Sequence, residues 1–288
     1  MPGSWGAAGA GCDFLHGAVA GRADAPVTIC SHGRSHGLSS AVSVAVGSSR
    51  LGRVEELLLA WFSQNGRDLP WRSTRDPYAI LVSEVMSQQT QMERVVPRWQ
   101  RWMELWPTVE ALAAAAACDV IREWQGLGYN RRALSLHRAA QHVAAQGWPD
   151  DLTELPGVGR YTADAVSCFA FGRPVLPVDV NVTRVSERTG QTFSPAAAQA
   201  LMDLGKTVCL ARIPRCGACP LAASCPSRGR RFEPLRRQGP FEGSFRQRRA
   251  AALREVVAGS QPEDGEAVAS LVRDGLVRMD GKVVSLPQ

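Results

Sequence analysis

Leu155-Pro156-Gly157-Val158-Gly159-Arg160-Tyr161-Thr162 is the segment from which the fold can be worked out. Its two glycines lie between segments with helical spacing, where they permit a tight turn and a close backbone approach. Backbone amides left exposed at such a turn can grip a phosphate. A plain helix-to-helix turn explains five residues equally well, so the flanking sequence has to decide. Downstream, Thr162 to Phe169, Val180 to Arg188 and Pro195 to Leu210 are predicted helices. Upstream, Leu57, Leu58, Trp61 and Phe62 recur at three-to-four spacing. Asp76-Pro77 is a cap followed by a first-turn proline, which predicts a helix from Pro77 to Thr90. Pro97 and Pro107 punctuate the next stretch. Further helices are expected over Arg98 to Leu105, Val109 to Ala115, Asp119 to Trp124 and Arg131 to Ala145. With no convincing strand in this body, the fold class is all-α.

The chain has 288 residues and eight cysteines, half of them crowded between Cys209 and Cys225. Such clustering favours metal in a reducing compartment over a disulfide scaffold. Cys209, Cys216, Cys219 and Cys225 have six, two and five residues between them. Four thiolates from one short loop suit either a tetrahedral zinc or a cubane [4Fe-4S] cluster. The formal net charge is +6, carried almost wholly by arginine, since Lys206 and Lys282 are the only lysines. Arginine bias with abundant alanine is also what genomic base composition can produce. Its distribution says more: Arg212 to Arg254 holds eleven arginines and two glutamates, a stretch suited to phosphates or to a solvated tail. No apolar run reaches the roughly 18 residues of a membrane span.

Residues 1–50, rich in Gly, Ala and Ser, show no sustained period and are expected to be disordered, without the features of a signal peptide. Residues 51–229 form the helical core. Residues 230–288 read as a basic extension with a helical pattern at Ala267 to Leu276 and an Asp280-Gly281 hairpin between Val277 and Leu286, similar to a small winged helix.

Two carboxylates stand in unlike surroundings. Glu84 lies among Ile80, Leu81, Val82, Val85 and Met86, where desolvation would raise its pKa; a solvated helix face is the alternative. Asp179 precedes a helix start, where amides and the helix dipole favour its ionised form. Capping alone would also account for it.

These motifs, in this order, resemble the MutY-type branch of the endonuclease III superfamily of helix-hairpin-helix iron–sulfur DNA glycosylases. The resemblance spans roughly Arg53 to Cys225 and rests on six features. These are the 155–162 segment, the Ser83 to Gln91 helix, Gly126-Leu127-Gly128-Tyr129, the Pro177 to Arg184 string, the C-x6-C-x2-C-x5-C loop and Arg67-Asp68-Leu69-Pro70-Trp71-Arg72. It implies a [4Fe-4S] cluster on the four cysteines, in place of zinc. It makes Glu84 the acid that protonates a departing adenine and Asp179 the carboxylate that stabilises the sugar cation, with Tyr161 and Asn181 assisting. Gln88, Gln89 and Tyr129 match positions that enter the duplex, and Gly157 and Gly159 those that hold its backbone. Arg67, Leu69, Trp71 and Arg72 resemble the loop lining the adenine pocket, and Gln199 is placed at an adenine edge. Where bifunctional relatives carry a nucleophilic lysine this chain has Tyr161, which implies a monofunctional enzyme.

The implied partner is double-stranded DNA with an adenine mispaired with 8-oxoguanine or guanine. The implied setting is a monomer in the cytoplasm, away from membranes. Removal of thymine or uracil opposite guanine, and DNA binding without chemistry, are the alternatives. Three departures stand out. The Asp179 to Met202 interval is short, Asn130 and Ser87 replace an aromatic and an aliphatic residue, and only the 63 residues 226–288 follow Cys225. That length is too small for the separate 8-oxoguanine-recognition domain of many such enzymes.

Overall fold

The computed structural model describes residues 50–233 and 239–288. Residues 1–49 of the segment expected to be disordered, and Arg236 and Arg237 of the basic stretch, lie outside the described residues. Eleven helices are described: α1 (Arg50–Asn65), α2 (Pro77–Ser87), α3 (Met92–Leu105), α4 (Val109–Ala113), α5 (Ala117–Glu123), α6 (Arg131–Gln146), α7 (Arg160–Phe169), α8 (Val180–Thr189), α9 (Ala198–Thr207), α10 (Phe245–Val257) and α11 (Gly265–Arg273). The strands β1 (Arg278–Asp280) and β2 (Val283–Ser285) pair antiparallel, Asp280 opposite Val283, around a two-residue Gly281-Lys282 turn. No described helix is long and apolar enough to cross a membrane.

The protein packs around three apolar clusters. In the first, α2 runs through the middle, and eight of its eleven residues are buried. A helix apolar nearly all round belongs inside a fold. Asp76 starts it by accepting from the Tyr78 and Ala79 amides at 3.0 and 3.3 Å. Its Tyr78 hydroxyl accepts from Trp102 Nε1 at 3.2 Å, and Trp102 is set edge-on to Trp106 and Trp124 at 4.7 and 5.5 Å. The second cluster joins α1, α8 and α9 with Leu221 of the cysteine loop. Here Gly205 lets α8 and α9 close up, because a Cβ on it would stand 2.6 Å from Asn181 Cβ. The third cluster is the core of the C-terminal extension. Leu253, Leu271, Leu276 and Val284 pack there with Ile121 of α5 and Leu134 of α6.

Several expected boundaries shift. Helix α3 begins at Met92 rather than Arg98 and carries Pro97 within it. Pro97 is exposed, so the carbonyl it leaves without a donor faces water. Helix α2 stops at Ser87 instead of Thr90, because Gln88 is extended and Gln89 adopts φ +55°. The single helix expected from Pro195 to Leu210 is a 3-10 turn, Pro195–Ala197, followed by α9. A 3-10 turn, Leu152–Glu154, directly precedes the glycine hairpin. Helix α10, hidden in sequence by its arginines, is the main addition. Its Arg248 pairs with Asp264 and Glu266 and its Arg249 with Ser270 and Asp274. That part of the basic stretch holds the extension together.

Candidate active site

A cleft of 1410 Å³ opens between the lobe built on α2 and the lobe built on α8 and α9. Glu84, Tyr161, Asp179, Asn181, Gln88, Gln89, Gly157, Gly159, Arg67, Leu69, Trp71, Arg72 and Gln199 all line it. Tyr129 stands outside this lining, on a neighbouring loop.

Glu84 is the one charged residue of α2 and points from its buried body into the cleft. Burial pushes its carboxyl up to about 7. The Tyr161 hydroxyl, donating to Oε2 at 3.0 Å, works in the opposite direction. The negative charge of Asp179 adds to the rise, and Arg72 offsets part of it. Burial and the neighbouring carboxylates in turn hold the Tyr161 phenol far above its ordinary range, so it stays a donor.

Asp179 faces the opposite situation. Its Oδ1 accepts from the backbone amides of Asn181 and Val182 at 2.8 and 2.7 Å, and its Oδ2 accepts from Asn181 Nδ2 at 2.6 Å. Both carboxylate oxygens are thus held by donors at the start of α8. Asp179 is therefore a helix cap whose free side faces the cleft. Asn181 is itself clamped, since Arg184 donates to its Oδ1 at 2.7 Å while reaching the Gly205 and Cys209 carbonyls.

The wall opposite the hairpin depends on a residue that sequence reasoning missed. Asp203, fully buried, accepts from Arg67 Nε at 2.7 Å and from both terminal nitrogens of Arg72 at 2.8 and 2.9 Å. Two converging arginines hold its carboxyl below the ordinary range despite its burial. Arg67 and Arg72 line the cleft as a fixed surface, and Trp71 both lines the cleft and packs in the core against Trp99. An aspartate on a helix that reads as amphipathic gave no local sign of this role. Lys206 also lines the cleft, though it is exposed and lies outside the 155–162 segment that holds Tyr161.

Two loops flank the mouth of the cleft. Gln89 and Tyr129 are the non-glycine residues with positive φ among those described, at +55° and +47°. Such geometry is uncommon for residues with side chains and persists where surroundings enforce it. Arg132 does so here. Its Nη1 donates to the carbonyls of Val85 and Gln88 at 2.6 and 2.7 Å, and its Nη2 to Gly128 at 3.0 Å. Trp124 fixes the same loop from the other side through Nε1 to the Gly128 carbonyl at 3.1 Å. Arg132 lies just past the Gly126 to Tyr129 motif that sequence reasoning singled out.

The hairpin is held by Leu155 and Val158, both buried. Gly157, at φ +78°, sits so close to α6 that a Cβ would stand 2.4 Å from Ser135 Cβ. Gly159 caps α7 and faces open space.

The four clustered cysteines are free thiols lining one small apolar cavity with Val185, Leu204 and Arg188. Arg188 Nη1 lies 3.5 Å from Cys209 Sγ, and the Gly229 amide donates to Cys216 Sγ at 3.3 Å. Donors aimed at sulfur suit thiolates. Four thiols on one cavity wall are a donor set of the kind that an iron–sulfur cluster takes.

Comparison with known proteins agrees with this architecture. Residues 82–207 match the HhH-GPD superfamily base excision DNA repair protein family. An adenine DNA glycosylase of Mycobacterium tuberculosis is 42% identical over 243 residues, covering 71% of this chain and 79% of the relative. One from Mycolicibacterium smegmatis is 39% identical over 274 residues, covering 78% and 93%. A human adenine DNA glycosylase is 38% identical over 227 residues, covering 65% of this chain and 42% of that longer protein. Among solved structures, a thermostable thymine-DNA glycosylase superposes with a TM-score of 0.54 at 26% identity, over 60% of this chain and 93% of the other. An endonuclease III trapped as a covalent intermediate with DNA shares the fold, with a TM-score of 0.52 and the same 60% coverage of this chain. The class that fold and cleft define is the helix-hairpin-helix DNA glycosylase. Within the HhH-GPD superfamily, the chain belongs to the MutY-type adenine DNA glycosylase family.

Proposed function

We propose that the protein hydrolyses the N-glycosidic bond of adenine mispaired with 8-oxoguanine or guanine in duplex DNA, without strand cleavage. The observation carrying this reading is the pair of carboxylates on one cleft, Glu84 desolvated under Tyr161 and Asp179 saturated with donors. Excision of a purine needs a proton on the departing base and negative charge beside a sugar that gains oxocarbenium character. Glu84, with a pKa of about 7, holds a proton to give at neutral pH. Asp179 offers charge to the sugar face. As the C–N bond breaks, its electron pair leaves with the adenine, which takes the Glu84 proton. Water then adds to the sugar carbon, and its proton returns to a carboxylate.

The adenine must leave the stack to reach Glu84. Gln88, Gln89 and Tyr129 fill the gap, Arg67, Leu69, Trp71, Arg72 and Gln199 form the base pocket, and Gly157 and Gly159 hold the backbone. Cys209, Cys216, Cys219 and Cys225 would carry a [4Fe-4S] cluster that ties the end of α9 to the extension, a structural task. Residues 51–229 form the catalytic core and 230–288 the extension, in a monomer working in the reducing cytoplasm.

The test is single-turnover base release from duplexes carrying A opposite 8-oxoguanine, A opposite G, and T opposite G. Adenine release that is lost in Glu84→Gln supports the reading. Release of thymine alone would transfer the protein to the mismatch-thymine branch, and no release from any duplex would leave a DNA-binding relative.

A further inference from the structure

The C-terminal extension meets the core beside the hairpin, and the residues at that junction are basic. On α6, Arg131, Ser135 and Arg138 recur at i, i+4 and i+7 and so share one stripe. Gly157 of the hairpin packs on this stripe at Ser135. On its other side, the end of α11 closes a polar groove of 230 Å³ lined by Arg131, Ser135, Arg138, Arg273, Asp274 and Gly275. Asp274 supplies the groove's acidic charge, and Arg249 and Arg131 already engage it. Arg138 and Arg273 are exposed, and among the described residues their guanidiniums make neither a side-chain hydrogen bond nor an ion pair. The groove therefore carries a surplus of positive charge that nothing in the fold consumes.

We propose that this groove is a second phosphate-backbone site, through which the extension holds the duplex next to the hairpin. The inference rests on the reading of the chain as a duplex-binding protein and deepens it. Arg131 links the parts: it follows Tyr129 by two residues, shares a second cavity with Pro156 and Gly157, and reaches Asp274 at 3.6 Å. Arg131 and Arg138 lie about 10 Å apart along α6, at roughly 1.5 Å per residue. A DNA strand presents a phosphate about every 3.4 Å of axis, so a strand leaving the hairpin along this stripe passes both guanidiniums. The charge that makes the extension a DNA-binding element thus lies at Arg138 and Arg273. It does not lie at Arg248 and Arg249, which are spent on internal pairs.

The experiment measures equilibrium affinity of the full chain for an undamaged duplex across a salt series. It compares wild type, the double variant Arg138→Ala with Arg273→Ala, and a control pair of exposed arginines, Arg101→Ala with Arg122→Ala. Melting temperature checks that each variant is folded. Loss of two phosphate contacts predicts affinity roughly tenfold weaker at low salt and a log–log salt slope shallower by about two in the groove variant alone. Wild-type affinity and slope in the groove variant would overturn the proposal. Weaker binding with an unchanged slope, or an equal loss in the control pair, would overturn it too. Adenine release measured on the same wild-type preparation tests the reaction separately, so failure there leaves the salt slopes interpretable.

Discussion

On the α2 side of the cleft, Glu84 stands on a helix buried nearly all round and receives one hydrogen bond, from a tyrosine. On the α8 side, Asp179 receives two amides and a carboxamide at the start of a helix. Desolvation dominates the first wall and donors dominate the second. Burial thereby pushes the Glu84 carboxyl up to about 7, while Asp179 is fixed in place by its donors, the division of labour that an acid and a charge stabiliser need. The contrast also extends to how each is supported. Glu84 depends on the packing of α2, whereas Asp179 depends on the contact of α8 with α9.

Removing either member gives the largest expected effect. Glu84→Gln keeps the shape but has no proton to deliver, and Asp179→Asn removes the charge. Each should lower single-turnover adenine release at least about 10³-fold, the scale of an acid–base or electrostatic contribution. A loss from only one of them would break the pairing of roles. Next comes Asp203→Ala, which leaves Arg67 and Arg72 facing each other without a counter-ion. Urea unfolding should show a loss of about 3 kcal/mol, as for other broken buried pairs. Gly205→Ala then tests the second wall alone. Its Cβ would stand 2.6 Å from Asn181 Cβ, so α8 must move. Overpacking of this kind costs about 1 to 3 kcal/mol, and adenine release should fall with it while the Glu84 titration stays in place.

The smallest effect comes from linkage. The folded-state pKa of Glu84, about 7, lies above its unfolded value of 4.5. The protonated carboxyl therefore contributes stability that is fully present below pH 4.5 and is lost as pH rises through 7. Glu84→Gln should accordingly be more stable than wild type at pH 8, by on the order of 1 kcal/mol once solvent in the cleft is allowed for, with the advantage gone at pH 4. Paired thermal melts at the two pH values check this.

The first wall was more legible in the sequence than the second. Asp76-Pro77 and the apolar residues on either side of Glu84 place it on a largely apolar helix in the sequence, though a solvated face stayed open there, and Gly157 and Gly159 mark a tight turn whose role the flanking motifs had to decide. Asp203, Arg132 and Gly205 carry no such local mark, because each acts through a partner remote in sequence: Arg67 lies 136 residues from Asp203, and Val85 lies 47 from Arg132. Helix α10 was masked for a related reason. Its arginines read as a phosphate-binding stretch until Asp264, Glu266 and Asp274 are placed beside them. Only the fold shows whether a charge is internally paired or still available.

The pH dependence of single-turnover adenine release, measured from pH 5.5 to 9 in the wild type and in Tyr161→Phe, tests the central claim most directly. The wild-type rate should fall with a single alkaline limb near pH 7, where Glu84 loses its proton. Tyr161 lowers the Glu84 pKa by donating to it, so the Phe variant should carry that limb to higher pH. A wild-type rate that is level from pH 6 to 9, or an alkaline limb that Tyr161→Phe leaves in place, would contradict the assignment of Glu84 as the acid.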